Sequence, residues 1–137
     1  MNQVGIPNLD KQLEASLITD MKKVEDLMRS HIKGDYPLVV ETSRHLVEAG
    51  GKRLRPLLTL ISAQFGDPTN YDIIKAAVCC ELTHLATLYH DDVMDDAVLR
   101  RGVISANKKW DNAVAILLEI IYFLKFLTCW LISDLRQ

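Results

Sequence analysis

Four aspartates fall within six residues of this chain, Asp91, Asp92, Asp95 and Asp96 in the run DDVMDD. On a helix Asp91 and Asp95 stand one turn apart and Asp92 lies three residues before Asp95, so three carboxylates should converge on one side. Two readings account for them. One is a solvated helix end, the usual fate of a charge run; the other is a site for a hard cation, because Mg²⁺ keeps several waters and takes one or two carboxylates plus substrate phosphates. The surroundings lean toward the second. Leu82, Leu85, Leu88 and Val93 flank the cluster, and unneutralised carboxylates are costly in an apolar setting. Arg100 and Arg101 follow directly, with the planar fork that matches phosphate. The run is not an EF-hand loop, since no Gly or Glu stands at the required offsets.

A basic cluster lies upstream: Lys52, Arg53 and Arg55 follow Gly50 and Gly51 in GGKRLRP. A flexible turn there delivers three cations to one place, either as a solvated loop or as the seat of a diphosphate. His84 stands seven residues before Asp91, two helical turns down the same face at about 10 Å. A lone helical histidine is more often structural than functional, and spacing assigns no role to His31, His45 or His90. The two clusters are chemically complementary. One gathers divalent metal for a diphosphate leaving group, while the other binds a second phosphorylated molecule without metal, a combination suited to ionising an allylic diphosphate. No Ser–His–Asp, Walker-type or dinucleotide signature competes with it.

The elements that must position these groups read as helices. The chain has 137 residues, 49% hydrophobic and 25% charged, the make-up of one soluble globular domain, and its few glycines (6) and prolines (4) favour an all-α fold. Sixteen Lys+Arg against eighteen Asp+Glu leave a net charge of −2, so no basic field points to nucleic acid. Leu13, Leu17, Met21, Val24 and Leu27 or Met28 predict an amphipathic helix after Asn8 and Asp10, running to about His31 and stopped by Gly34, Asp35 and Pro37. A second helix is expected over about Leu38 to Glu48. A third has Pro56 in its first turn and Leu57, Leu58, Leu60, Ile61 and Phe65 as its apolar face. The stretch from Tyr71 to Asp96 has neither Gly nor Pro and predicts a helix of about 39 Å. No alternation is long enough to place a sheet. Cys79, Cys80 and Cys129 form neither a disulfide framework nor a zinc spacing, which fits a reducing cytoplasm, and the first twenty residues lack the features of a secretory signal.

GGKRLRP at Gly50 to Pro56, followed by ELTHLATLYHDDVMDDAVLRRG at Glu81 to Gly102, closely resembles the trans-type polyprenyl diphosphate synthase family. The resemblance implies an all-α antiparallel bundle, the isoprenoid-synthase fold, usually dimeric, of which this chain carries the N-terminal part. It implies that Asp91, Asp92 and Asp95 bind Mg²⁺ and through it an allylic diphosphate. Lys52, Arg55, His84 and Arg101 would hold isopentenyl diphosphate, and Arg100 would contact the allylic diphosphate. The implied reaction is head-to-tail prenyl transfer: the allylic diphosphate ionises, the isopentenyl double bond attacks the cation, and a proton is lost. Ala86 and Thr87 stand one turn before Asp91. In the family a bulky ring at that level stops growth early, so these two small side chains imply a long-chain product, such as a quinone side-chain precursor.

The resemblance is read through residues 1–117, to about Leu117 in SANKKWDNAVAIL, and an apolar tail, LEIIYFLKFLTCWLISDLRQ, occupies 118–137. Family members continue there with Thr-Gly-Asp. Restoring one nucleotide before codons for Leu118 to Phe123 gives Thr-Gly-Asp-Tyr-Leu-Leu, so a one-nucleotide frameshift is expected, leaving a chain that lacks the family's second aspartate motif and is inactive alone. Two alternatives belong to other classes. Ala113 to Ile132, interrupted by Glu119 and Lys125, is long enough to span a bilayer, although two central charges at ~2.5–3.5 kcal/mol each weigh against insertion. A non-catalytic partner subunit would not need the GGKRLRP and DDVMD motifs.

Overall fold

The computed structural model describes residues 6–32 and 37–134, the side chains of 38 and 130–134 excepted. The expected all-α fold is present. Among the described residues six α-helices run in order: α1 (Lys11–His31), α2 (Pro37–Glu48), α3 (Leu54–Ser62), α4 (Asp72–Met94), α5 (Ala106–Lys109) and α6 (Asn112–Asp134). The Asp10 carboxylate caps α1 by accepting from the backbone N–H groups of Gln12 at 2.9 Å and Leu13 at 3.1 Å, two donors that a helix start otherwise leaves unsatisfied. Leu17, Val24 and Met28, at helical spacing, bury one stripe of α1 in the core. Gly34 and Asp35, expected to end that helix, lie outside the described residues. Pro37, expected as a stop signal, is instead the first residue of α2, where its missing N–H costs nothing.

Helix α3 begins two residues before Pro56, and its apolar face is narrower than expected. Pro56, Leu57 and Leu60 are buried, but Leu58 is exposed and Phe65 falls in a following 3₁₀ turn (Ala63–Phe65) with 95% of its surface free. The rotation per residue explains this: the 3₁₀ turn moves Phe65 off the stripe that Leu57 and Leu60 occupy.

Helix α4 is the central element. Its 23 residues, about 35 Å at 1.5 Å each, bury Ile74, Ala77, Val78, Cys79, Glu81, Leu82, Leu85, Ala86, Tyr89 and Asp92, so it is covered on more than one side. It ends at Met94, two residues earlier than expected, as the Asp95 N–H closes on the Asp91 carbonyl at 2.8 Å and Asp96 turns left-handed at φ 48°.

The structure adds an element that the sequence reading omitted. Leu99–Arg100 (β1) and Val103–Ile104 (β2) pair antiparallel, Leu99 opposite Ile104 and Arg100 opposite Val103. The two-residue loop between them, Arg101 and Gly102, has both φ angles positive, 53° and 81°, the hairpin turn whose twist matches that of paired strands. Strands of two residues are too short to show alternation.

Helix α6 packs antiparallel on α4. Ala115, Leu118, Tyr122 and Cys129 form its buried stripe. Tyr122 stacks on Tyr89 of α4 with ring centroids 5.6 Å apart, its hydroxyl donates to the Ser43 carbonyl, and the Tyr89 hydroxyl donates to the Thr42 carbonyl at 3.2 Å. The pair therefore ties α4 and α6 to α2. The opposite face of α6 leaves Ile116, Leu117, Ile120, Phe123, Leu124 and Leu127 exposed, and the window Asn112–Cys129 is long and apolar enough to cross a membrane by length and composition. Replacing Leu118 (1% exposed) by Ala should destabilise the chain by about 2–5 kcal/mol in urea unfolding. Ile116→Ala, on the open face, should stay within about 0.5 kcal/mol of the parent.

Candidate functional site

Glu81 is an acidic residue on the buried side of α4, 2% exposed, and the fold meets it with two cations. Arg53 Nη1 donates to its Oε1 at 3.0 Å, and Arg101 Nη2 lies 3.5 Å from the same oxygen. Arg53 Nε donates to Glu25 of α1 at 2.5 Å and its Nη2 to the Val47 carbonyl at 3.0 Å. The two carboxylates outweigh burial and hold the Arg53 pKa above its ordinary value. Arg53 is thus structural, and the basic loop delivers two free cations where three were expected. Lys52 and Arg55 are exposed, and neither side chain has an ion pair or hydrogen-bond partner among the described residues.

The same network fixes Arg101. Its Nη1 donates to the carbonyls of Leu46, at 3.0 Å, and Gly50. Gly51, at φ 141°, lies flat beneath this guanidinium: a Cβ there would stand 2.9 Å from Arg101 Cζ, so only glycine admits so close an approach. Burial, helped by neighbouring Arg53, lowers the Arg101 pKa.

The hairpin carries Arg100 to the other cluster, where its Nε donates to Asp92 Oδ1 at 2.6 Å. Asp92 is fully buried, and its Oδ2 has no hydrogen-bond partner among the described residues. Burial raises its pKa against the pull of Arg100. Asp91 and Asp95, by contrast, are exposed, one turn apart at the end of α4. The expected convergence of three carboxylates therefore resolves into an outward pair and an inward third, because Asp92 is rotated off the shared face by the 100° step of the helix. Among the described residues no three His, Cys, Asp or Glu side chains stand together as a closed metal site. The donor set nevertheless suits Mg²⁺, which needs only one or two carboxylates and leaves its other positions to water and phosphate.

His84 links the two clusters. It is half-buried, and burial and the charges of Arg55 and Arg101 lower its pKa, while Glu81 and Asp91 oppose the shift. Residues from the basic loop, the hairpin and the acidic run thus act on one imidazole. One turn nearer the acidic run, Ala86 is buried in the core and Thr87 is exposed, its hydroxyl donating to the His84 carbonyl at 2.8 Å. The sequence reading missed Glu25, Glu81 and the pair that His90 makes with Glu119 at 2.9 Å. Glu81 had a usable signal: it sits between Ala77 and Leu85, a turn away on either side along a buried stripe, where a carboxylate requires a cation.

Two outcomes test this geometry. Arg53→Ala leaves both Glu25 and Glu81 short of their partner and should cost about 3–5 kcal/mol in urea unfolding, whereas Lys52→Gln should change stability by under about 0.5 kcal/mol. In an NMR titration the His84 ring should protonate below pH 6.5 and the His90 ring, raised by Glu119, above it. The signs are opposite for stability. Folding holds His84 neutral, so as pH falls below 6.5 the unfolded chain takes up a proton that the folded chain resists, and stability drops; the His90–Glu119 contribution is complete below 6.5 and lost as pH rises through the raised value.

Comparison with known proteins places this arrangement. The family model described as Polyprenyl synthetase matches residues 36–137. A heptaprenyl diphosphate synthase component 2 from Bacillus subtilis is 45% identical over 108 residues, covering 77% of this chain and 30% of the relative. A nonaprenyl diphosphate synthase from Mycobacterium tuberculosis is 44% identical over 114 residues, 82% of this chain and 34% of that one. Among solved structures, a heptaprenyl diphosphate synthase from Staphylococcus aureus superposes with a TM-score of 0.79 at 38% identity, covering 82% of this chain and 36% of the other. A polyprenyl synthase from Caulobacter crescentus, complexed with calcium and isoprenyl diphosphate, gives 0.83 at 34% identity, covering 89% and 37%. The chain spans about a third of the length of these relatives. With its two motifs joined through α4 as described, the chain belongs to the polyprenyl synthetase family.

Proposed function

We propose that this chain carries the first diphosphate site of a Mg²⁺-dependent polyprenyl diphosphate synthase, which adds isopentenyl diphosphate head-to-tail to an allylic diphosphate in the cytoplasm. The observation that supports it best is His84, whose ring feels Arg55, Arg101 and Asp91 together. Lys52, Arg55, His84 and Arg101 would bind isopentenyl diphosphate. Arg55 and Lys52 have unpartnered charges for it, and Arg101 is held in place by Glu81 and Gly50. Asp91 and Asp95, with Asp92, would hold Mg²⁺, whose chemistry when bound is to neutralise charge on the departing diphosphate. Arg100, whose Nε donates to Asp92 of that carboxylate set, would orient the allylic diphosphate. Ala86 and Thr87 leave room for a long prenyl chain, in line with the heptaprenyl and nonaprenyl names of the relatives.

On this reading the tail from Leu118 is an out-of-frame sequence, the 137-residue chain binds diphosphate without turning it over, and the intact protein works as a homodimer. A second reading is favoured by one observation. The exposed apolar face of α6, from Ile116 to Leu127, and the length of its apolar window also suit membrane attachment.

The deciding assay incubates purified chain with isopentenyl diphosphate, farnesyl diphosphate and Mg²⁺, beside a version with the reading frame restored before Leu118, and reads product by chain length. The restored protein should give long-chain product and lose at least about 100-fold in rate on Asp91→Asn, a loss in the range for removing one group that stabilises transition-state charge. The 137-residue chain should give none. Product from the short chain would overturn the claim of inactivity, and no product from the restored one would overturn the assignment.

A further inference from the structure

Three thiols and an imidazole have no part in the proposed diphosphate binding, and the packing of α4 on α6 brings three of these four groups together. Cys79 on α4 and Cys129 on α6 are both buried, 6% and 8% exposed, and their thiols are near enough to act on each other's protonation. The His31 ring, at the end of α1, is near enough to act on Cys129 as well. Cys80, next in the chain, points to solvent.

The helix register places the pair independently. His90 of α4 meets Glu119 of α6, and the helices run antiparallel. Cys79 lies eleven residues before His90, and Cys129 lies ten residues after Glu119, so at 1.5 Å per residue both sit about 15–17 Å from that contact, at one level of the interface. Phe126, one turn before Cys129, lines the same groove as Cys79, Cys80, Thr83 and, from the proposed diphosphate site, Arg55. This groove, about 440 Å³, opens to solvent and gives a small oxidant access to the Cys79 side of the seam.

The two thiols are not equivalent. The Cys79 S–H and the His31 ring lower the pKa of Cys129, with Lys75 adding a weaker pull, whereas the same contact and burial raise that of Cys79. The contact with Cys79 and His31 thus favours the thiolate form at Cys129 over that at Cys79. Thiolate character together with a neighbouring thiol is what distinguishes an oxidation-sensitive cysteine from an inert buried one.

We propose that in the 137-residue chain, tail included, Cys79 and Cys129 are a peroxide-sensitive pair that closes into a disulfide, bolting α6 onto α4. The Cys129 thiolate attacks one oxygen of hydrogen peroxide: an S–O bond forms, the O–O bond breaks, and the departing hydroxide takes a proton to leave as water. The Cys79 sulfur then attacks the resulting sulfenic sulfur, so that the S–S bond forms and the S–O bond breaks. The second water carries away the Cys79 proton. Two thiols and one peroxide give one disulfide and two waters. A thiol reductant reverses the change.

The test uses the whole chain and does not depend on prenyl transfer. Treat it with hydrogen peroxide, alkylate under denaturing conditions, and map the cysteines by mass spectrometry. The mass should fall by about 2 Da before alkylation, from the two hydrogens lost on disulfide formation. Cys80 alone should then be alkylated, with a Cys79–Cys129 peptide pair that dithiothreitol abolishes. Cys80→Ser should keep the disulfide. Cys79→Ser should lose it and let dimedone trap a sulfenic acid on Cys129. Three alkylated cysteines after oxidation, a link through Cys80, or dimedone on Cys80 and not on Cys129 would each overturn the proposal.

Discussion

Glu81 Oε1 lies 3.0 Å from Arg53 and 3.5 Å from Arg101, in a place where the carboxylate is almost fully removed from water. A charge so buried is tolerated only when its partners are held in good geometry, and the partners here come from two separate segments. Arg53 belongs to the loop that enters α3; Arg101 belongs to the hairpin after α4. Each also binds backbone carbonyls at the end of α2, Val47 for Arg53 and Leu46 for Arg101, with Gly50 receiving both. Glu25 completes the charge balance from α1. One acidic side chain therefore sets the positions of the basic loop and the hairpin relative to the helix that carries Asp91 and Asp95. The residues free to meet a ligand, Lys52 and Arg55, are those that this network leaves over.

The second constraint is the seam between α4 and α6. The Tyr89–Tyr122 stack and its two hydroxyl bonds to α2 are dry contacts at the middle of the interface, while His90–Glu119 marks its exposed edge. Because α4 presents both the seam and the acidic run, what α6 does at one end is felt along the helix that carries the other. The apolar residues on the far side of α6 are left exposed.

Helix periodicity made most of this architecture legible. Asp10 before a heptad-like run gave α1 and its cap, and the stretch without Gly or Pro gave α4. What the sequence hid was the direction in which individual charges face. Arg53 lies between Lys52 and Arg55 in a string of cations, and nothing local distinguishes it; its inward turn follows from a left-handed backbone at φ 47° and from two carboxylates distant in sequence. Asp92 was legible as part of a motif but not as the buried member of it, because its partner Arg100 reaches it through a hairpin whose two-residue strands leave no alternating pattern. The positive φ of Arg101 had a hint in the glycine that follows it. Phe65 misled because a 3₁₀ turn changes the period that the apolar count assumes.

That hairpin turn bears on how two neighbouring arginines divide their labour. Arg100 is the last residue of β1 and faces the carboxylate of Asp92; Arg101, one step on, lies in the turn and faces the opposite way, over Gly51. In a regular strand adjacent side chains already diverge, and the left-handed turn swings the second one further round. Adjacent codons thus supply guanidinium partners to two buried carboxylates, Asp92 and Glu81. A one-residue insertion or deletion ahead of Leu99 would shift this phase, and with it exchange an arginine that neutralises an aspartate for one that braces a loop, with the composition of the chain almost unchanged.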